Sequence, residues 1–326
     1  MTDNLPITHS IIDSKSLSNL VSYNWSFPGP IHCELLNRGM NDVYLIRDGS
    51  NRFYACRVWR SGFRSENNII FETELLAFLN SKNINIPFPL ESQNKSLYME
   101  INAPEGKRYF SIFSWVDGNV FGSKPDIDKS YKLGAELAKI HEVMINFAPT
   151  VSREIDMKVR LETEISYLLK MNTHRIDDLK WYQSAVNIMI NKLDELNSKK
   201  IPYGVVHGDF HLYNAFFNDK KITIMDFDNC GKYYLIFDIC SFIWANDYVG
   251  IDQKISESFL KGYNSVRNLN DSELSLLNFF YALKELSFLC GFAANVNSVG
   301  HTPLLSPNLD WFSEKTKLNF KKAGLI

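Results

Sequence analysis

The chain has 326 residues, 45% of them hydrophobic, so it can bury one large core or two medium ones and does not have the composition of a disordered protein. Its 35 Lys and Arg nearly balance its 37 Asp and Glu, which excludes the strongly basic character typical of proteins that bind nucleic acid or anionic membranes. We therefore expect a two-domain globular protein with no nucleic-acid and no membrane partner.

The N-terminal residues and the cysteines favour a cytoplasmic protein. The chain begins Met-Thr-Asp-Asn and lacks the basic start and apolar run of a signal peptide. Its five cysteines are odd in number and have no short Cys-x-x-Cys spacing, which is typical of a reducing compartment. The apolar stretch 278–293 is interrupted by Lys284 and Glu285, so it indicates a buried or amphipathic helix rather than a membrane span.

The first third of the chain has the pattern of an antiparallel β-meander. Segments 31–37, 41–48 and 52–60 carry β-branched or aromatic residues, and turns at Gly39 and Gly49 separate them. These three segments are predicted to be neighbouring strands of one sheet.

A helix and two more strands complete the N-terminal part. In segment 66–80 the apolar residues recur at helical spacing, which predicts a helix packed on the sheet. Two prolines then exclude a continuing helix and lead into strand candidates at 96–101 and 108–116. We place the boundary after residue 113, so that the two predicted domains are 1–113 and 114–326.

The rest of the chain is predicted to be mostly helical. An apolar stripe begins near residue 126, and 154–198 is a long charged helical region. One β island, at 201–206 and 221–227, interrupts the helices. The predicted fold class is therefore α+β and bilobal, with a five-stranded antiparallel N-terminal sheet, one helix beside it and a larger, mostly helical C-terminal lobe.

The β island contains polar residues in a pattern that favours phosphoryl transfer. The sequence VVHGDFHLYNAFF spaces His207, Asp209 and Asn214 as in a kinase catalytic loop, and KITIMDFD then supplies Asp226. Asp209 suits the carboxylate that orients an attacking hydroxyl, while Asn214 and Asp226 offer the hard oxygen ligands that Mg²⁺ prefers. Each residue alone could be a turn cap, a loop amide or the polar end of a strand. Together, at fixed offsets after apolar strands, they favour catalysis.

This block resembles the aminoglycoside phosphotransferase and choline kinase family, whose motif is His-Gly-Asp-x-His-x-x-Asn followed by an Asp-x-Asp strand. The resemblance implies a protein-kinase-like fold, with ATP and Mg²⁺ as cofactors. It also implies that His207 and Asp238 support the catalytic loop, and an ordinary helix N-cap at Asp238 is compatible with that bracing role. The C-terminal segments resemble the branch that contains type II homoserine kinases and stress-response kinases.

Weaker resemblances extend into the N-terminal domain. The turn that contains Gly39 and Asn41 resembles the nucleotide-covering turn of the family, and Arg57 falls where a phosphate-binding lysine is expected. Arginine keeps the charge there and can hold a phosphate oxygen and a carboxylate at once. The carboxylate is expected to be Glu72, with Glu74 as the alternative, and either could instead lie on a solvated helix face.

The strand that leads to the domain boundary supplies two more candidates. Phe113 and Ser114 are expected to contact the adenine, partly through backbone groups, although isolated apolar residues are more often part of a core. The segment's position at the boundary is the feature that favours a nucleotide contact.

The acceptor is a small-molecule hydroxyl in the preferred interpretation, such as an amino alcohol, homoserine or an aminoglycoside. Because many of these are cationic, Asp228 and Asp247 are candidate acceptor-binding residues, although a turn cap and a solvated loop residue are equally good interpretations. Two alternatives stay open: a Ser/Thr protein kinase of the stress-response type, which requires helices 154–198 to lie away from the site, and a nucleotide-binding regulator without turnover. The sequence leaves ATP against GTP and the oligomeric state undecided.

Overall fold

The computed structural model describes residues 7–171, 174–196, 200–218, 221–300, 304 and 308–326. The chain divides into two compact units, neither of which is one continuous stretch. The first unit takes in Met1–Asn119, Asn146–Arg153 and Phe216–Met225, and the second takes in Val120–Ile145, Glu154–Ala215 and Asp226–Ile326.

The first unit is built on a five-stranded antiparallel sheet. Its strands lie in the order β1-β2-β3-β5-β4, which are β1 (His32–Arg38), β2 (Asn41–Arg47), β3 (Phe53–Trp59), β4 (Met99–Ala103) and β5 (Gly106–Ser114). In the central strand β3, Arg57 lies opposite Val43 on one side and Ser111 on the other. All five strands were predicted from the sequence, with ends that differ by a few residues.

Two helices belong to the described part of this unit. Helix α2 (Glu66–Ser81) begins at a capping box formed by Ser65 and Asn68, and its buried side chains include Glu72. Helix α1 (Ser14–Asn24) is not predicted by the sequence analysis, because it buries only Leu17 and Val21 and has a short apolar stripe. Those two residues pack in the core of the sheet with Tyr44, Ile46, Val58, Phe110 and Ile112.

The second unit is mostly helical, as predicted from the periodicity. Its helices are α3 (Ile127–Met144), α4 (Met157–Met171), α5 (Ile176–Leu196), α6 (Ile236–Tyr248), α7 (Gln253–Asn264), α8 (Asp271–Leu274), α9 (Leu277–Ala294), α10 (Val296–Val299) and α11 (Asn308–Lys322). Helix α9 is the central one, since α4, α6 and α11 pack against it, and α3 packs against α7. Across the described residues, no helix combines the length and the apolar character needed to cross a membrane.

Short strands bring the motif segments together. They are β6 (Asn119–Val120), β7 (Tyr203–Val206), β8 (Ala215–Phe217), β9 (Ile222–Ile224) and β10 (Gly231–Tyr234). Strands β7 and β10 are antiparallel, and the last residue of β7, Val206, lies opposite the first residue of β10, Gly231. The loop that follows β7 and the segment that precedes β10 therefore meet at the same end of this pair.

Candidate active site

The loop after β7 requires a glycine at its second position. Gly208 has a φ of +83°, and a Cβ atom at this position would lie 2.1 Å from the carbonyl oxygen of Asn229. The ring of His207, which is fully buried, lies 4.5 Å from the ring of Phe227, centroid to centroid. The loop therefore packs directly on the segment that carries the Asp226-Phe227-Asp228 motif.

Asp238 holds the backbone of this loop. It is fully buried in the first turn of α6, and its two carboxylate oxygens accept hydrogen bonds from the amides of His207 at 2.7 Å and Gly208 at 2.8 Å. The N-cap of α6 is Leu235, which makes no side-chain cap. The contacts of Asp238 are thus those of a loop brace and not those of an N-cap.

A chain of hydrogen-bonded side chains extends from Asp238 towards α7 and α8. His141 Nε2 lies 3.1 Å from Asp238, and His141 Nδ1 lies 2.8 Å from the hydroxyl of Tyr263. Arg267 donates to that hydroxyl at 3.0 Å and also pairs with Glu273 at 2.9 Å. Since a carboxylate only accepts, a consistent assignment has each donor directed from Arg267 through Tyr263 and His141 towards Asp238. Sequence spacing does not connect these residues, because Asp238, His141, Tyr263 and Glu273 lie on four separate helices and Arg267 lies in the segment after α7.

Asp209 lies at the exposed end of the loop. Its side chain is 33% exposed, Lys284 Nζ donates to Oδ1 at 2.7 Å, and His211 Nε2 lies 3.8 Å from Oδ2. Burial alone would raise the pKa of Asp209, but the Lys284 cation and then His211 outweigh it and hold that pKa well below its usual range. Asp209 is therefore ionised at neutral pH. Lys284 was not a predicted site residue, and the only sequence signal was its charge within an apolar helix.

Asn214 and Asp226 provide oxygen atoms of the kind a magnesium ion prefers. The Nδ2 group of Asn214 faces the carbonyl oxygen of Asp209 at 3.1 Å and His211 Nε2 at 3.3 Å, so Oδ1 is the atom that can bind a cation. Asp226 is exposed and has φ 66° and ψ 59°, a left-handed conformation that aspartate tolerates better than most residues. Within the described residues, no group of three or more His, Cys, Asp or Glu is arranged to hold a metal alone. This donor set suits an ion that completes its shell with phosphate oxygens and water.

The two candidate acceptor residues have different surroundings. Asp228 is only 4% exposed, so this residue of the short segment after Asp226 is buried. Asp247 is exposed on α6 and accepts a hydrogen bond from the hydroxyl of Tyr281 at 2.8 Å. Tyr281 and Lys284 are three residues apart on α9 and share a face of that helix. Asp247 therefore contacts the same face of α9 as Asp209.

The first unit contains an arginine–glutamate pair. Arg57 donates a hydrogen bond to Glu72, and the Arg57 guanidinium carbon lies 4.5 Å from the ring centroid of Trp59 and 4.9 Å from that of Phe113. Glu74 instead accepts a hydrogen bond from the amide of Thr150 at 2.9 Å. Of the two glutamates considered from the sequence, the structure pairs Glu72 with Arg57.

The remaining nucleotide-binding candidates also lie in the first unit. In the β1–β2 turn, the amide of Gly39 donates to the carbonyl of Asn41 at 3.0 Å, and Arg60 donates to the carbonyl of Gly39. The amide of Ser114 donates to the carbonyl of Phe88 at 2.9 Å, and its hydroxyl accepts from the amide of Phe88 at 3.1 Å. Arg60 was not predicted; it lies one residue beyond β3, and nothing in its sequence position indicates contact with the turn.

The chain is similar in sequence to known proteins. A protein-family sequence model described as "Phosphotransferase enzyme family" matches residues 32–271 of this chain. A homoserine kinase of Agrobacterium fabrum is 26% identical over 218 residues, which are 65% of this chain and 64% of that protein.

The fold is shared with solved structures. A microcompartment-associated aminopropanol kinase has a TM-score of 0.77 at 22% identity and covers 96% of this chain and 99% of its own. The amicoumacin kinase hAmiN, in complex with AMP-PNP, Ca²⁺ and Ami, has a TM-score of 0.75 at 19% identity and covers 94% of each chain. The chain thus has the protein-kinase-like fold that the sequence predicts.

Proposed function

The chain belongs to the phosphotransferase enzyme family, and from this premise we propose that it transfers the γ-phosphoryl group of ATP to a hydroxyl group of a small molecule. The observation that carries the proposal is the setting of Asp209. Its loop backbone is held by Asp238, its carbonyl contacts Asn214, and its ionised carboxylate is one third exposed. A carboxylate fixed in this way can orient an attacking hydroxyl.

Asp209 would act on the acceptor. Its Oδ2 atom accepts the hydrogen bond of the hydroxyl and receives the proton as the new bond between the acceptor oxygen and phosphorus forms. The bond from the γ-phosphorus to the bridging oxygen breaks, and ADP carries that oxygen away. The low pKa of Asp209 makes orientation the larger part of its role, since a weak base gains little from early proton removal.

Asn214 and Asp226 would hold the divalent cation on the nucleotide. Asn214 would contribute Oδ1 and Asp226 its exposed carboxylate. Mg²⁺, when bound, neutralises charge on the phosphate oxygens during transfer. The AMP-PNP and Ca²⁺ in the hAmiN complex support this assignment by analogy of fold.

Residues of the first unit would bind the nucleotide. Arg57, oriented by Glu72, would contact phosphate oxygens, and the turn at Gly39 and Asn41 would cover them. The Phe113–Ser114 segment would face the base. Because the amide and hydroxyl of Ser114 already bond to Phe88, base recognition there would use other backbone groups.

A small acceptor is favoured over a peptide by the position of the long helices. Helix α4 packs against α9, the helix whose Lys284 contacts Asp209, which supports a site bordered by helices. The homoserine and aminopropanol kinases act on small alcohols, as their names state, which supports the same class here. The exposed carboxylate of Asp247 would suit an acceptor that carries an ammonium group.

The experiment is an acceptor screen that measures ADP release from Mg·ATP with amino alcohols, homoserine, aminoglycosides and denatured protein. We expect turnover with a small amine-bearing alcohol and none with protein. Turnover with denatured protein alone would favour the protein-kinase alternative, and nucleotide binding without turnover on any acceptor would favour the regulator.

Two variants separate the roles within the site. Asp209→Asn is expected to keep Mg·ATP affinity and to lose roughly 100- to 10,000-fold in rate, because it changes only the acceptor side. Asp226→Asn removes an anionic cation ligand, so nucleotide affinity and rate should both fall, with partial rescue by excess Mg²⁺. Calorimetry with Mg·ATP and a kcat measurement on both variants would test the division. Near wild-type turnover of Asp209→Asn would contradict it.

A further inference from the structure

Lys284 is a buried cation that none of the roles above uses. It lies in the middle of α9, a helix whose other buried residues are mostly apolar, and its side chain is 9% exposed. An ammonium group with so small an exposed fraction is costly to bury unless it is paired and hydrogen-bonded. What pairs with Lys284 therefore indicates why it is there.

The partner of Lys284 is Asp209. The Nζ atom donates to Asp209 Oδ1 at 2.7 Å, and it lies 5.8 Å from the ring centroid of Phe237 and 5.9 Å from that of Trp244. The two aromatic rings belong to α6, the helix that also carries the loop brace Asp238. The ammonium group is thus held between the rings and one carboxylate oxygen.

The pair differs from a purely structural buried ion pair in the same protein. In the first unit Arg108 and Asp42 are 2.7 Å apart and both side chains are 0% exposed, so neither is open to a ligand. In the Lys284–Asp209 pair the lysine is 9% exposed and the aspartate 33%. The part of the pair that remains open to solvent is mainly the carboxylate.

We propose that Lys284 is a positioning residue, which engages Oδ1 of Asp209 and thereby presents Oδ2 to the acceptor hydroxyl. Oδ2 is the oxygen left for this role, since His211 Nε2 lies 3.8 Å away, beyond hydrogen-bond distance. Without Lys284 the carboxylate can rotate about its Cβ–Cγ bond, and neither oxygen is held in place. The proposal rests on the proposed phosphotransferase function and adds a residue from α9 to its site.

The test is a double-mutant cycle in kcat with Lys284→Met and Asp209→Asn. Lys284→Met keeps the length and apolar stem of the side chain and removes the charge. We expect it to lower kcat by about 10- to 100-fold, the scale of a misplaced reacting group, and to leave KM for ATP within about twofold. In the Asp209→Asn background the same substitution should lower kcat by less than about twofold, because the group it positions is already gone.

Two further variants serve as controls. Lys284→Arg keeps a cation and should retain more activity than Lys284→Met. Lys317→Met removes a lysine whose Nζ lies 5.9 Å from the Trp181 ring centroid on another helix, and it should leave kcat unchanged. A Lys284→Met effect of equal size in both backgrounds would overturn the proposal, because Lys284 would then act on another group, such as the transferring phosphoryl. Unchanged kcat in Lys284→Met would overturn it as well.

Thermal melting of the four proteins of the cycle separates this proposal from the proposed function. They are the wild type, Lys284→Met, Asp209→Asn and the variant that carries both substitutions. If the pair holds Asp209, Lys284→Met should shift the melting temperature by different amounts in the wild-type and Asp209→Asn backgrounds. Equal shifts would overturn the pairing even if no acceptor is ever found. Absence of turnover by the wild-type protein, together with unequal shifts, would instead place the failure with the proposed function.

Discussion

At the scale of single residues, the charged side chains of this protein differ in how far their partners remain accessible. Arg108 and Asp42 are both completely buried, whereas Arg57 is 12% exposed and its partner Glu72 only 1%. The open edge of the second pair belongs to the guanidinium, a group with five donors of which Glu72 uses only some. Such a group can bind a phosphate while its carboxylate partner orients it.

Arg57→Ala is expected to weaken nucleotide use more than Arg57→Lys. Lysine keeps the positive charge but loses the forked geometry that serves Glu72 and a phosphate oxygen together. It also loses the planar group that lies over Trp59 and Phe113. KM for ATP measured for both variants tests this order. Equal values for both variants and the wild type would remove Arg57 from the nucleotide site.

Glu285 is a buried carboxyl group with a predictable effect on pH-dependent stability. Its side chain is 1% exposed, and Asn319 Nδ2 donates to Oε2 at 2.7 Å. Burial raises the pKa of Glu285 from 4.5 to about 7, against the opposing effect of hydrogen bonds from Thr316 and Asn319. Between these two pH values the folded state binds a proton that the unfolded state has released. The protonated form of Glu285 therefore favours folding at low pH, and this contribution is lost as the pH rises to about 7.

Glu285→Gln should remove that pH dependence. The amide stays neutral and can still accept from Asn319, so the variant and the wild type should be similar in stability at low pH. Above neutral pH the variant should be more stable, by on the order of 1–3 kcal/mol. Urea unfolding across the range from acid to alkaline pH tests this, with the exposed Glu314→Gln as a control. Parallel curves for the Glu285 variant and the wild type would contradict it.

At the scale of elements, the loop after β7 is shaped by backbone contacts more than by its side chains. Gly208 packs against the carbonyl of Asn229, and Asp238 of α6 accepts from two successive amides. The hydrogen-bonded chain from Arg267 to His141 then ties this brace to α3 and α7. The geometry of the loop therefore depends on helices distant in sequence. A change in the backbone at Gly208 should alter kcat.

Gly208→Ala and Gly250→Ala form a matched pair for testing this dependence. Both glycines have positive φ, +83° and +75°, but only Gly208 has backbone atoms where a Cβ would lie. Gly250→Ala should cost about 1–2 kcal/mol of stability from backbone strain alone and leave kcat unchanged. Gly208→Ala should cost more and lower kcat, because the loop must shift away from Asn229. Chemical unfolding and kcat for both variants provide the measurement, and equal effects would argue against a shaped loop.

At the scale of the whole molecule, the first unit depends on segments that come late in the chain. Phe147 packs against Phe71 and Phe78 of α2 with centroid distances of 5.5 and 5.4 Å. The amide of Ile224 donates to the carbonyl of Asn85 at 3.2 Å. A stretch that stops near the predicted boundary after residue 113 lacks both segments.

A fragment of residues 1–119 is therefore expected not to unfold cooperatively, although it contains the complete five-stranded sheet. It exposes the apolar surface of α2 that Phe147 covers. In the full chain, Phe147→Ala should cost about 1–3 kcal/mol, below the range for a fully buried phenylalanine because the residue is partly exposed. Thermal melts followed by circular dichroism test both statements. A sharp transition for the fragment would show that the later segments are dispensable.

Much of the fold was predictable because its signals are local. The alternation in 41–48 predicts a strand, which spans Asn41–Arg47 in the structure. The helical spacing in 66–80 predicts a helix, which spans Glu66–Ser81. The motif from His207 to Asp226 is equally local, since the spacing along the chain sets which side chains follow which strand. The protein-kinase-like fold and the family resemblance could be argued from these residues alone.

The sequence by itself thus determined most of the elements, although not α1, together with the motif and the class of reaction that the motif suits. Only the tertiary structure decided which side chains pair with one another. Arg57 pairs with Glu72 rather than Glu74, Asp238 with His141, and Asp209 with Lys284. Lys284 is 75 residues from Asp209 in the chain. Periodicity reports only which face of a helix is apolar, so it cannot tell which distant carboxylate a buried lysine will meet. That is set by the packing of α9 against α6, a property of the folded molecule.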